Sequence, residues 1–397
     1  MSETTAAVAS KTESDDKIAC EICGARVHSI QIHLRDGVHG ETTMQDYTNA
    51  YPGAPVMSDL AKRKLEEGRS ARRIEMATAA VIPMRSTDGI EKVAMHELFE
   101  LGSTKSTLSA SGKPIPISKI HGGDPDLVPE IDNGYVYDLD SLKNVLLGLE
   151  DNIPTYIWGH MGTGKSTLVE QIAARTGRPM MRIQHTINTE ESHIVGQWTV
   201  KDGHTVFEPG PLALAMRNGW LYMADEYDFA LPNVTSVYQA VLEGKSLVIK
   251  EADAANRVIK PHPQFRFVAT GNTNGSGDET GLYQGTNIQN AANYDRFGVV
   301  IQMTYMPKRQ EMQILINQSG LMKEDAERFV SFASLVREAF DGGKLSSTIS
   351  PRTLITASRL GIKKGSWVAG LNLSFANKLS KIDREVVDGL MQRVFGE

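Results

Sequence analysis

At 397 residues the chain is too long for one compact core, and two or three domains are expected. Its 41% hydrophobic and 23% charged residues are ordinary for a globular protein, and no apolar run nears the roughly 18 residues that cross a bilayer. The formal charge of −6 argues against broad nucleic-acid binding, which needs a basic surface, and MSETTAAVASKTESDDK lacks the basic start and apolar stretch of a secretory signal, so a cytoplasmic setting is expected.

Residues 1–17, rich in Ser, Thr, Ala and acids, read as a disordered tail. Residues 18–60 read as a separate zinc-finger-like module. Cys20 and Cys23, two residues apart, are the only cysteines, so a disulfide framework is excluded and a metal site favoured. With His33 and His39 they form Cys-x2-Cys-x9-His-x5-His, two thiolates and two imidazoles that suit tetrahedral Zn²⁺. His28 with His33 is the other ligand choice, at zinc-knuckle spacing. The HSIQIHL stretch and the later TTMQDYTNAYPGAP resemble the zinc-finger type of Ros/MucR regulators. The basic residues Lys62, Arg63, Lys64, Arg69, Arg72 and Arg73 are interleaved with Glu66 and Glu67, which favours a solvated helix over a phosphate-binding face. The module is therefore read as a docking or structural element.

Residues 61–133 read as a linker and N-terminal extension, with a short helix in VAMHELFELG (93–102) and a loop over 112–129, where Pro and Gly recur. From 134 to 307 apolar strands are expected at Thr155–Trp158, Trp220–Ala224, Phe265–Thr270 and Val299–Met303. Alternating with helical segments, they imply an α/β fold, a parallel sheet with flanking helices. Lys165–Thr176 has helical apolar spacing and stops at Gly177 and Pro179. Residues 308–397 read as a C-terminal helical lid.

The chemistry concentrates at the strand ends. Gly159-His-Met-Gly162-Thr-Gly164-Lys165-Ser166 fits G-x4-G-K-[ST], between a strand and a helix. Its glycines let backbone N–H groups turn towards phosphate, and the helix N-terminus adds positive potential. Lys165 is expected on the β- and γ-phosphates of ATP, Ser166 on Mg²⁺, and Thr167 beside it completes the binding set. The acid pair Asp225-Glu226 ends an apolar strand; Asp225 is expected to bind Mg²⁺ directly or through water, and Glu226 to orient and deprotonate the attacking water. Asn272, after the next strand, is placed to hold that water as a sensor-1 residue. Arg296 is expected either to act as an arginine finger on a neighbouring subunit's ATP or to pair locally with Asp295 and its surroundings. Arg352 sits in the first turn of a helix opened by Ser350-Pro351, where a cation is unfavourable unless an anion compensates, which fits a sensor-2 role on the γ-phosphate.

With these residues placed, the chain resembles the CobS family, the ATPase subunits of aerobic cobaltochelatase, in the MoxR-like branch of AAA+ proteins. The likeness spans roughly residues 90–397 and rests on VPEIDNGYVYD (128–138), GTGKSTLVEQIAAR (162–175), DEYDFALPNV (225–234), NRVIKPHPQFRFVATGNT (256–273), GDETGLYQGT (277–286) and SPRTLIT (350–356). It implies an AAA+ P-loop core with a helical lid, and a hexameric ring. It also implies a CobT-like partner with a von Willebrand-type domain and a large chelatase subunit. In that family ATP hydrolysis powers Co²⁺ insertion into hydrogenobyrinic acid a,c-diamide during cobalamin synthesis, with the chelation chemistry on the large subunit. A remodelling ATPase of the MoxR type acting on another protein is the alternative. IVGQWTVKDGHT (194–205) falls where such ATPases carry a pore-facing hairpin, a plain surface hairpin being the equal alternative.

Overall fold

The computed structural model describes residues 16–40, 42–67, 89–279 and 281–396. The expected tail lies almost wholly outside them, as do Arg69, Arg72 and Arg73. The chain divides into two units, Met1–Ile82 and Pro83–Glu397. Among the described residues no helix is long and apolar enough to cross a membrane.

The first unit opens with a two-stranded hairpin, β1 (Ile18–Ala19) and β2 (Arg26–Val27), followed by helices Ile30–Arg35 and Met44–Ala50. Each helix starts where a side chain satisfies an orphan N–H. Ser29 accepts from Ile32, and Thr43 and Asp46 form a reciprocal capping box. Among the described residues its apolar core is small: Cys20, Ile30, Leu34 and Tyr47. A core of this size is too little to stabilise a fold without a staple such as a metal.

The second unit begins with an antiparallel hairpin, β3 (Ile90–Ala94) and β4 (Pro116–Ile120). The loop expected over 112–129 is thus part strand. Pro116 is tolerated because it takes the first strand position, where its missing N–H costs little. The backbone N–H and hydroxyl of Ser118 then donate to Glu150 at 2.9 and 2.8 Å. Met95, Phe99 and Ile117 pack with Leu142, Leu146 and Ile172, so this stretch belongs to the core of the large unit. The short helix expected within 93–102 forms over Met95–Leu98.

The central sheet has five parallel strands in the order β13-β5-β12-β9-β6, comprising β5 (Thr155–Gly159), β6 (Met180–Gln184), β9 (Leu221–Asp225), β12 (Arg266–Gly271) and β13 (Val299–Met303). Alternation distributes its side chains to two cores. Tyr156, Tyr222, Ala224, Phe267 and Ala269 face one layer, with Leu212 and Met216 of helix Pro211–Asn218. Ile157, Leu221, Met223, Val268 and Ile301 face the other, against helices Leu139–Glu150 and Lys165–Thr176. The sequence pattern misses β6, because Arg182 interrupts its apolar run and the strand lies at the sheet edge. Between β6 and helix Pro211–Asn218 a hairpin, β7 (Gly196–Lys201) and β8 (His204–Pro209), spans 196–209, while Ile194 and Val195 of the expected hairpin stretch end the helix Glu191–Val195. It turns at Asp202-Gly203, both with positive φ, which matches the twist of the strands. A small pair, β10 (Leu247–Val248) and β11 (Val258–Ile259), precedes β12.

From Lys308 the chain is helical, as expected: Lys308–Ser319, Lys323–Asp341, Pro351–Lys364, Trp367–Ser374 and Lys381–Phe395 enclose their own core around Phe329, Phe332, Leu354, Leu371 and Val387.

Candidate nucleotide site and cysteine–histidine cluster

In a parallel sheet all strands end on one side, and ligands bind there. Gly159, Asp225 and Gly271 are the last residues of β5, β9 and β12, so the loop after β5, the acid pair and Asn272 meet at one edge. The loop 159–164 turns through Gly162 and Gly164, at φ 75° and 91°, conformations that cost a side chain dearly. A Cβ on Gly162 would lie 2.5 Å from Ser350, so the loop also touches the cap of lid helix Pro351–Lys364.

Lys165 is buried, and its ammonium donates to Gly159 O at 2.7 Å, His160 O at 3.2 Å and Asn272 Oδ1 at 3.0 Å. Burial lowers its pKa, while Glu226, Asp228 and Asp225 pull the other way. Arg352 lies close enough for its charge to add to the lowering. The Arg352 side chain is exposed at the lid edge and has no hydrogen bond or ion pair among the described residues.

Ser166 donates to Asp225 Oδ1 at 2.7 Å, the juxtaposition a hydroxyl and a carboxylate need to share a divalent cation. Thr167 follows in the first turn of the same helix. Thr270 also donates to Oδ1, and Arg182 grips Oδ2 through Nε at 2.9 Å and Nη2 at 2.5 Å. Burial would raise the Asp225 carboxyl, but the bonds from Thr270 and Ser166 and the Arg182 charge outweigh it and hold the pKa below its usual value.

Glu226 behaves oppositely. Burial pushes its carboxyl up; Lys165 opposes this, and Asp225 and Asp228 reinforce it. Its backbone is left-handed, φ 53°, an uncommon conformation for a non-glycine residue that concentrates at functional sites. Asn272 Nδ2 donates to Glu226 Oε2 at 2.5 Å, so one amide spans Lys165 and Glu226. A raised carboxylate held by an amide and a neighbouring ammonium is equipped to take a proton from water.

Two partners escape sequence reasoning. Arg182 stands on β6, and its one sequence signal is a lone cation inside MMRIQ. Asp228 is fully buried; its Oδ2 accepts from the N–H groups of Asn272 and Thr273 at 2.9 and 2.8 Å and from Thr273 Oγ1 at 2.8 Å. In sequence it looks like one more acid in DEYD.

Arg296 is not brought to this cluster. It follows helix Ala291–Tyr294, and its Nε and Nη2 both lie 2.7 Å from Glu243 Oε1. Its ion-pair partner is therefore Glu243.

In the first unit the Sγ atoms of Cys20 and Cys23 and ring nitrogens of His33 and His39 all lie within 4.8 Å of one another. Cys20 Sγ is 3.7 Å from His39 Nε2, Cys23 Sγ is 3.3 Å from His33 Nε2, and the two Nε2 atoms are 3.1 Å apart. Tetrahedral zinc with two sulfurs and two nitrogens has edges of about 3.3–3.8 Å, near the three separations above, and two thiolates with two imidazoles are donors that suit that ion. His28 is not in the group; its Nδ1 is 2.9 Å from Ser58 Oγ.

Residues 154–297 match the family described as AAA domain (dynein-related subfamily), and residues 311–394 match CbbQ/NirQ/NorQ C-terminal. The chain is 35% identical over 318 residues to the aerobic cobaltochelatase subunit CobS of Sinorhizobium sp, covering 74% of this chain and 95% of the relative. It is 26% identical over 243 residues to protein NorQ of Paracoccus denitrificans, covering 61% and 84%. Among solved structures it is similar to the Thermotoga maritima RuvB Holliday junction branch migration motor, with TM-score 0.38 and 14% identity over 67% of this chain and 72% of that one. The P-loop geometry and the near-complete coverage of the CobS relative lead to one assignment: the chain belongs to the CobS, NorQ and CbbQ type of MoxR AAA+ ATPases.

Proposed function

We propose that this ATPase powers a cobaltochelatase, hydrolysing ATP so that partner subunits insert Co²⁺ into a corrin such as hydrogenobyrinic acid a,c-diamide. The observation that carries this reading is the 35% identity spread over 95% of the Sinorhizobium CobS subunit, not confined to the P-loop. In this reading Gly159, Gly162, Gly164, Lys165, Ser166 and Thr167 hold the nucleotide, and Ser166 and Asp225 hold Mg²⁺, which when bound neutralises developing phosphate charge. Glu226 takes the proton of the attacking water, and Asn272 orients both. Arg352 reaches the phosphates from the lid. Arg296, held by Glu243 on its own subunit, serves the neighbouring site, so the active species is a ring, hexameric by family resemblance. The partners are a CobT-like subunit with a von Willebrand-type domain and a large chelatase subunit. Cys20, Cys23, His33 and His39 hold Zn²⁺ as a structural staple of the first unit, a role supported by its four-residue core.

Purified protein mixed with CobT-like and large subunits is expected to support cobalt insertion that needs ATP and is lost in Lys165→Ala. No insertion with partners that are active alongside another CobS subunit would overturn the reading. A second reading, a remodelling ATPase acting on a different protein, is favoured by the CbbQ/NirQ/NorQ match over 311–394. It predicts nucleotide turnover with no cobalt insertion, and co-purification with a protein other than a CobT-like subunit.

A further inference from the structure

The segment after β12, including the GDETGLYQGT stretch, has no part in the roles assigned above, yet it touches the phosphate loop. Asn287 N donates to Asp228 O at 2.7 Å and Gln289 N to Gly275 O at 2.8 Å, which anchors the segment beside the acid pair. Tyr283 reaches from it to the loop. The residue is 8% exposed, and its hydroxyl oxygen accepts from Met161 N at 3.1 Å. The same hydroxyl lies 2.8 Å from His160 Nδ1. Burial pushes the phenol up to about 12, so it keeps its proton. Burial and the charge of Lys165 lower His160, against a smaller opposing pull from Asp341, which favours the neutral ring. The hydroxyl and Nδ1 share one hydrogen bond, its direction set by the His160 tautomer.

The bond to Met161 matters because of what lies across the peptide. His160 C=O and Met161 N–H belong to one planar unit, so fixing one end fixes the other. The N–H end is held by Tyr283; the C=O end accepts from Lys165 Nζ at 3.2 Å and from Thr163 Oγ1 at 2.8 Å. A second tyrosine backs the same residue: the His160 ring stacks on Tyr305 at 6.1 Å and 12°, and Arg337 of the lid lies over the Tyr305 ring at 3.9 Å. Arg337 is itself clamped by Glu311 at 2.7 and 2.8 Å.

We propose that Tyr283 is a positioning residue for the phosphate loop, fixing the 160–161 peptide through His160 and Met161 and thereby the setting of Lys165. This rests on the ATPase assignment and deepens it. Tyr283 acts through the loop and does not touch the reacting atoms. It governs how well the loop is prepared for nucleotide more than the chemical step.

The test uses the full-length protein with a fluorescent ADP analogue for affinity and ATP turnover for kcat and KM. Tyr283→Phe keeps the ring and removes both hydroxyl bonds; it is expected to weaken nucleotide affinity and raise KM about three- to tenfold, as loss of modest net hydrogen bonds implies, with a smaller change in kcat. His160→Phe keeps the Met161 bond and is expected to lose less. The double variant is expected to be no worse than Tyr283→Phe, since both changes remove one shared bond. Wild-type affinity in Tyr283→Phe, a loss confined to kcat, or losses that multiply in the double variant would each overturn the proposal. Wild-type protein and Lys165→Ala run in parallel. Failure of the wild type to bind nucleotide would overturn the ATPase reading itself, and the positioning role with it.

Discussion

Replacing Asp228 is expected to damage both the fold and the setting of Asn272, without replacing any group assigned to the nucleotide. Its Oδ2 alone accepts three hydrogen bonds, from Asn272 N, Thr273 N and Thr273 Oγ1, and the side chain is fully buried. Asp228→Ala leaves three donors without an acceptor; at about 1–3 kcal/mol for each group left unsatisfied, with partial relief from entering water, the loss is about 3–6 kcal/mol. Against a total stability of about 5–15 kcal/mol that is severe, and it corresponds to a melting-temperature drop of roughly 5–10 °C. Asp228→Asn keeps an oxygen for the three donors but loses the charge, which roughly halves their strength, so it should fall between wild type and alanine. Burial raises the Asp228 carboxyl above its ordinary 3.8. Its ionisation therefore carries a cost in the folded state at neutral pH that the asparagine variant escapes, which offsets part of its weaker hydrogen bonding and moves it towards wild type. Thermal melts and ATP turnover measured on the three proteins give the ranking. An alanine variant that melts within about 2 °C of wild type and turns over ATP normally would refute the reasoning.

Glu226→Gln should bind ATP and lose about 10²–10⁴-fold in turnover, as removal of a general base implies; normal turnover would sink the assignment. In the wild type the carboxyl lies above its usual 4.5, pushed up by burial and by Asp225 and Asp228. A protonated carboxyl accepts no proton, so kcat should fall as pH drops through that raised value, and the residual rate of Glu226→Gln should lack this acid limb. Arg296→Ala should leave nucleotide binding intact yet slow hydrolysis in the assembled ring by about 10³-fold or more, as measured for arginine fingers. Equal rates of monomer and ring in the wild type would exclude a finger acting between subunits. Wild-type protein should carry one zinc by metal analysis, and Cys20→Ser or strong chelation should release it and unfold the first unit, seen as proteolysis confined to residues before about 83; His28→Ala should retain the metal.

The two kinds of information divide by range. Helix Lys165–Thr176, the strands around 155, 221, 266 and 299, and the phosphate loop are local matters, and each was legible in the chain. Apolar periodicity, a glycine where φ must be positive and a lysine after it are written in consecutive residues. The same holds for Cys20-x2-Cys23, a turn that sets two thiolates together. What lay between segments was not legible. The strand Met180–Gln184 hides because an edge strand needs no continuous apolar run, and β4 hides because Pro116 and the Pro- and Gly-rich residues around it read as loop until a partner strand is present. The choice of His39 over His28 is tertiary, since spacing admitted both and only the fold gives His28 to Ser58. So is the fate of each acid in DEYD. Sequence places Asp225, Glu226 and Asp228 side by side. Only packing lowers the first with Thr270, Ser166 and Arg182, raises the second, and buries the third beneath Asn272. Tyr283 is the furthest case: it meets His160 across 123 residues of chain, a contact that no local pattern encodes because it depends on β12 and β5 lying side by side in the sheet.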